Sequence, residues 1–275
     1  MSTLIAATDL SAQSARVVAR AAQLAARLEA RVILAHVLPE DASDEARRDA
    51  RRALEAACAD GPGAAPPEPV LLDGRPETAL PRLAGEEGAE FMILGLHRLR
   101  PVLDLLRLTT MERIVLAARV PVLLAHRPVE GAYASVLGAV DFSPASAAAL
   151  TAAAHLSPEA RFCAIHALQL GLIDRLPGRS VQDSRAMAGA VAARDAWLAA
   201  HSLPPGLSLP EIIPGGVHEV LRYRIAELEP DLLTIGAHSG QDPSQLGNYA
   251  RDLMREPPTD VLVAKAADAP AHNPR

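Results

Sequence analysis

The sequence predicts an α/β protein made of two repeated five-stranded parallel sheets, each covered by helices on both faces. Three observations carry this expectation. Short apolar runs of strand length alternate with helical patterns, an order that forces parallel pairing through crossover helices. The strand candidates are apolar without alternation, as strands covered on both faces are. Four short segments of the first half also recur, in the same order, in the second.

Thr3 to Ala7 is the first strand, and Thr8-Asp9-Leu10-Ser11 turns the chain into a helix. There Val17, Ala21, Leu24 and Leu28 share one face at helical spacing, and Arg16, Arg20, Gln23 and Arg27 another. The arginine stripe reads as a solvated face. Arg31 to Leu38 is the second strand, and Glu45 to Asp60 a helix rich in Arg, Glu and Ala. Gly61-Pro62-Gly63 ends that helix, since neither residue type continues one well. Pro69 to Leu72 is the third strand. A helix starts near Pro76, whose fixed φ suits a first turn, and runs to about Glu87 with Pro81 inside it. Phe91 to Leu94, Leu105 to Ala118 and Val120 to Ala125 complete the half as strand, helix and strand.

The second half restates the first. Ala139-Val140-Asp141-Phe142-Ser143 follows Ala7-Thr8-Asp9-Leu10-Ser11 at an offset of 132, and Ile165-His166-Ala167-Leu168 follows Ala35-His36-Val37-Leu38 at 130. Gly216-Val217-His218-Glu219 matches Gly74-Arg75-Pro76-Glu77, and Gly236-Ala237-His238 matches Gly95-Leu96-His97. This is a tandem duplication. The expected domains are 1–128 and 133–267, with a linker near Arg127 to Tyr133 and a disordered tail after about Ala267.

Composition narrows the function. The 275 residues are 49% hydrophobic and 22% charged, which suits two globular cores. A net charge of -6 argues against a nucleic-acid backbone binder, and 3% aromatics against base stacking. No apolar run is long enough to span a membrane. The first residues read as a strand rather than a signal peptide, so a cytoplasmic location is expected. Cys58 and Cys163 read as small buried apolar residues.

Each repeat closes on a strand, a loop opening with glycine, a helix and a last strand; Asp231 to Lys265 is the clearer copy. Such a junction presents backbone N–H groups to a phosphate. On the strand-Asp-Ser starts (Asp9, Asp141), the Gly-x-His turns (Gly95, Gly236) and the Val-Leu ends, both halves resemble universal stress protein domains. The chain looks like a tandem member of that family.

The resemblance implies an adenine nucleotide alpha hydrolase-like, Rossmann-like fold and pairing of fifth strands, here Val122-Leu123-Leu124 with Val261-Leu262-Val263. It implies an intramolecular pseudo-dimer, with homodimerisation left open. Nucleotide-binding members of the family carry glycine, two residues, glycine, nine residues, then glycine and Ser or Thr. The first repeat keeps Gly95 but has Arg98 for the second glycine and Leu108-Thr109 for the closing pair. Only the Thr109 hydroxyl survives, with Arg98 as a substitute phosphate ligand.

The second repeat keeps Gly236, has Ser239 beside Gly240, and closes on Gly247-Asn248 after seven residues rather than nine. Asp141 stands where the family's adenine-side acid lies, and it also reads as a helix cap, as does Asn248. Asp141, Gly236, His238, Ser239, Gly240, Gly247 and Asn248 therefore form the candidate nucleotide site. Asp9, Gly95, Arg98 and Thr109 form a degenerate counterpart.

The histidines show no metal-ligand spacing. The duplicated pairs, His36 with His166 and His97 with His238, read as fold-supporting hydrogen bonders. Ser143, Ser239 and Ser244 lack a nucleophile elbow, and no catalytic group stands out. The expected function is that of a universal stress protein-like regulator acting through unknown protein partners, with no obligatory cofactor, nucleic acid or membrane. The alternative is a switch binding ATP or AMP in the second repeat, with weak ATP hydrolysis.

Overall fold

The computed structural model describes residues 1–11, 14–63, 65–95, 108–170, 184–238 and 245–266. The chain folds as two units. Met1–Ala132 with Met254–Val261 forms the first, and Tyr133–Leu253 with residues 262–266 the second.

In the first unit, β1 (Thr3–Ala7), β2 (Arg31–Leu38), β3 (Glu68–Asp73), β4 (Phe91–Gly95) and β5 (Val122–Ala125) are joined by α1 (Ala15–Leu28), α2 (Asp44–Ala59), α3 (Pro76–Glu86) and α4 (Thr110–Ala117). The strands lie in the order β3-β2-β1-β4-β5, all parallel, with Ala7 opposite both Ala35 and Leu94. Strand order reverses at β1, which opens a crevice beyond its carboxyl end. The residues expected to be buried on both faces are so: Leu4, Ile5, Leu34, Met92, Ile93 and Leu123 are shut from solvent. Each such side chain contributes about 1.5–3 kcal/mol relative to exposure.

The rest of the chain repeats the plan with β6 (Ser135–Ala139), α5 (Pro144–Leu156), β7 (Arg161–Leu168), α6 (Arg185–Ala200), β8 (Glu211–Pro214), α7 (Val217–Leu228), β9 (Leu232–Gly236), α8 (Asn248–Arg255) and β10 (Asp260–Ala264), the second unit holding all of it but Met254–Val261, which packs with the first. These strands lie in the order β10-β9-β6-β7-β8. The terminal strands β3 and β8 each carry a proline, Pro69 and Pro214, which cannot donate to a ladder.

Local chemistry moves some boundaries. Ser43 rather than a later residue caps α2, its hydroxyl accepting from the Ala46 N–H at 3.2 Å, so the helix begins at Asp44. Pro81 is accommodated inside α3. The solvated-stripe expectation fails at Arg20, which is 4% exposed. Its guanidinium meets Asp260 at 3.2 Å and donates to the Gly131 carbonyl at 3.0 Å. Asp260 is fully buried and accepts the backbone N–H groups of His126 and Arg127 at 2.7 and 2.8 Å. A buried charge needs such partners, and they come from distant sequence. Cys58 is buried as expected, its thiol pKa raised by burial and then by Glu55, whereas Cys163 is only partly covered.

Candidate functional site

Immediately after β1 the chain turns sharply. Leu10 adopts a left-handed conformation (φ 59°), and the Asp9 carboxylate accepts from the Ser11 N–H at 3.0 Å and the Ser14 hydroxyl at 2.7 Å. His36, at the end of β2, donates from Nδ1 to the Thr8 carbonyl at 2.8 Å, since a carbonyl can only accept. The turn is thus held from both sides. It forms one wall of a cleft of about 540 Å³ at the carboxyl ends of the first unit's strands.

Small apolar side chains floor that cleft, and Asp9, Arg16, His36, Gly95, Thr110 and His126 bring polar groups to it. Arg16 is anchored through a 2.8 Å bond to the His126 carbonyl. The pKa of His126 is lowered by burial and by Arg16, with Arg127 adding and Asp260 opposing. A neutral His126 therefore contributes stability that is complete above the ordinary histidine value of about 6.5 and is lost as pH falls through the lower folded value. His126→Gln is expected to flatten the acid limb of a Tm-against-pH curve; an unchanged limb would refute this. In the second unit, burial and then Asp252 push Tyr249 up to about 12.

The start of α4 lies beside the cleft, and there Thr109 caps the helix. Its hydroxyl accepts from the Glu112 N–H at 3.2 Å, while the Glu112 carboxylate accepts from the Thr109 N–H at 2.6 Å. This is a reciprocal cap. Glu112 is fully buried, and Arg255 donates from Nε to its other oxygen at 3.0 Å. Thr109→Ala should cost about 1 kcal/mol, measured as a shift in the denaturation midpoint. Arg98, proposed as the substitute ligand, lies outside the described residues, as does His97.

The second unit keeps the same turn and packs an aromatic cluster behind it. Phe142 repeats the left-handed turn (φ 60°), and His166 bonds to the Val140 carbonyl at 2.9 Å as His36 does to Thr8. Asp141 accepts from the Ser143 N–H at 3.1 Å, but Ser143, not Asp141, caps α5. The Phe142 ring lies 4.6 Å from that of His166 and 5.7 Å from that of Trp197, and the Trp197 indole donates to the Ser143 carbonyl at 2.9 Å. Trp197 is 2% exposed.

Gly236 ends β9 hard against the start of α5. A Cβ there would sit 3.0 Å from both Ala145 Cβ and the Ser146 nitrogen. Among the described residues, its counterpart Gly95 meets a Val17 methyl at that distance.

Of the remaining candidates, His238 is buried and bonds to the Gln245 carbonyl at 2.8 Å, and the Gly247 N–H bonds to the Ala237 carbonyl at 3.0 Å. These bonds tie the loop's ends together. The Gly247 carbonyl accepts the first helical bond of α8, from Arg251, so Gly247 holds the cap position and Asn248 the first helical one. Ser239 and Gly240 lie outside the described residues, as does Ser244. Sequence reasoning missed Arg16 and His126 as cleft-lining groups, and Phe142 with Trp197 as a packed aromatic cluster. The mismatch of Leu10 with Phe142 in otherwise matched turns was the available signal. Among the described residues, no three His, Cys, Asp or Glu side chains gather as metal ligands, and no helix is long and apolar enough to cross a membrane.

Residues 1–126 match the family model described as the universal stress protein family. No curated protein matches the chain. Among solved structures, a universal stress protein from Archaeoglobus fulgidus DSM 4304 is similar at 17% identity and a TM-score of 0.60, covering 96% of this chain and 98% of that one. A putative universal stress protein from Pseudomonas aeruginosa UCBPP-PA14 is similar at 16% identity and 0.64, covering 97% and 94%. At such identities the likeness is one of fold. A universal stress protein in complex with cAMP aligns over 46% of this chain and 96% of its own, at 29% identity and a TM-score of 0.37.

Proposed function

We propose that the chain, whose residues 1–126 match the universal stress protein family, is a non-catalytic regulatory protein whose first unit binds an adenine nucleotide or nucleoside. Protein partners would read the occupied and empty forms. The observation that carries this reading is the cleft beside Asp9, His36 and Gly95 at the strand-order reversal of β1. An apolar floor with a few convergent polar groups is what a flat heterocycle with a polar appendage requires. ATP and AMP are the ligands to try first. The support lies with the first unit because its cleft is built of described residues, whereas Ser239 and Gly240 of the second lie outside them. The absence of catalysis is part of the same reading, as is pairing of β5 with β10 into a pseudo-dimer.

Calorimetric titration with ATP and AMP, each with magnesium, tests the reading. Thr110 is exposed at the first position of α4 and lines the cleft, so Thr110→Phe should obstruct it without disturbing the core. Saturable binding is expected in the unaltered chain and in Gly247→Arg, and none in Thr110→Phe. Binding that survives Thr110→Phe but disappears in Gly247→Arg would move the site to the second unit. No binding at all would end the nucleotide reading.

A further inference from the structure

The cleft of the first unit is lined by an acid and a permanent cation that different strands position. Asp9 follows β1, while the Arg16 guanidinium is tied to the carboxyl end of β5 by its 2.8 Å bond to the His126 carbonyl. β5 stands two places from β1 in the sheet, roughly 10 Å at the usual strand spacing. A carboxylate accepts N–H groups such as a base offers, and a guanidinium holds phosphate oxygens. An elongated ligand carrying both groups is thereby given a direction.

The shared fold does not require Arg16. At the offset of 132 that matches the two turns its counterpart is Ala148, in α5. Arg16 is exposed, and among the described residues the bond to His126 is its one hydrogen bond. Arg20, one turn on, is by contrast buried against Asp260. The place is also unfavourable for a cation. Arg16 is the second residue of α1, where the helix dipole is positive, and no acid stands in that first turn to offset it. Its charge is felt nearby, since after burial it is the main cause lowering the His126 pKa. A guanidinium carries five N–H donors in a fixed fork, so one bond to a carbonyl steadies it and leaves the others for an anion.

We propose that Arg16 is the phosphate-recognising residue of this cleft, taking the phosphate nearest the ribose, so that the ligand is an adenosine 5′-phosphate rather than adenine or adenosine. The inference rests on the adenine reading above. It assigns the phosphate to an arginine anchored at the end of β5, and not to Arg98.

The test is calorimetric titration of the full chain with adenosine and AMP, without magnesium, beside Arg16→Met, Arg16→Lys and Arg98→Ala. The unaltered protein should bind AMP more tightly than adenosine by at least about fivefold, a return within reach of an exposed charge pair. Arg16→Met should bring AMP down to the level of adenosine, and Arg16→Lys should keep part of the preference. Equal binding of the two ligands by the unaltered chain overturns the proposal. So does a preference that survives Arg16→Met or that Arg98→Ala removes in its stead.

A second readout separates phosphate contact from mere support of the cleft. A phosphate on Arg16 offsets the charge that lowers the His126 pKa, so AMP should raise that pKa in an NMR titration and adenosine should not. The absence of a rise specific to AMP overturns the proposal. This measurement uses the unaltered protein, so a poorly folding variant does not stop the test. If no adenine compound binds, the adenine reading fails by itself and ribose 5-phosphate decides for Arg16. A saturable shift of the His126 resonance that Arg16→Met abolishes sustains its role; no shift, or the same shift in both proteins, removes it.

Discussion

Asp260→Ala is expected to destabilise the protein by about 3–5 kcal/mol, the usual cost of removing one member of a buried ion pair. The loss is large because Asp260 serves three donors at once. It faces Arg20 at 3.2 Å and accepts two backbone N–H groups, from His126 and Arg127. Taking it away leaves the 4%-exposed Arg20 without its carboxylate and strands two backbone donors. Replacing both partners with apolar residues, Arg20→Met with Asp260→Leu, should cost less than Asp260→Ala alone. Denaturant midpoints for the three proteins check this. If the double variant proves the worse, charge removal is not what governs the site.

Trp197→Ala is expected to cost about 3–5 kcal/mol, a typical value for deleting a large buried aromatic side chain. The indole is 2% exposed, bonds to the cap carbonyl of Ser143 and lies against Phe142. Its removal opens a cavity and frees the Phe142 and His166 rings. The damage should be local to the second unit, so differential scanning calorimetry should show one transition lowered and the other nearly in place. A single transition that moves as a whole would contradict that localisation. Trp197 is the sole tryptophan, so in the unaltered protein its emission reports second-unit unfolding directly. The same position predicts that nucleotide entering the first unit leaves that emission unchanged.

The strands were legible because strands covered on both faces need little beyond continuous apolar runs, and Thr3–Ala7, Arg31–Leu38 and Phe91–Gly95 supply them. The paired histidines were legible for a related reason: duplication displays which side chains the shared backbone requires, and His36 and His166 make the same bond. Helix starts were less legible, because a single cap such as Ser43 decides them.

Arg20 was not legible at all. Its arginine-stripe spacing is that of a solvated face, and only Asp260, far along the chain, makes its burial tolerable. Glu112 could have been found, since Thr109-Thr110-Met111-Glu112 has the spacing of a reciprocal cap. What spacing could not show was its burial with Arg255. Trp197 had no readable role, because its meeting with Phe142 depends on how α6 folds back over β7.

The terminal strands of both sheets have a bearing on how the protein behaves when crowded. An outer strand with free N–H and C=O groups invites a stranger's strand to add on, which is how fibrous aggregates begin. β3 opens with Glu68-Pro69 and closes on Asp73, and β8 runs only from Glu211 to Pro214. Each therefore interrupts the ladder with proline and places an acid at its rim. A protein repeating one sheet twice doubles its exposure to self-templated growth, and the same brief, acid-flanked, proline-bearing stop recurs on both copies.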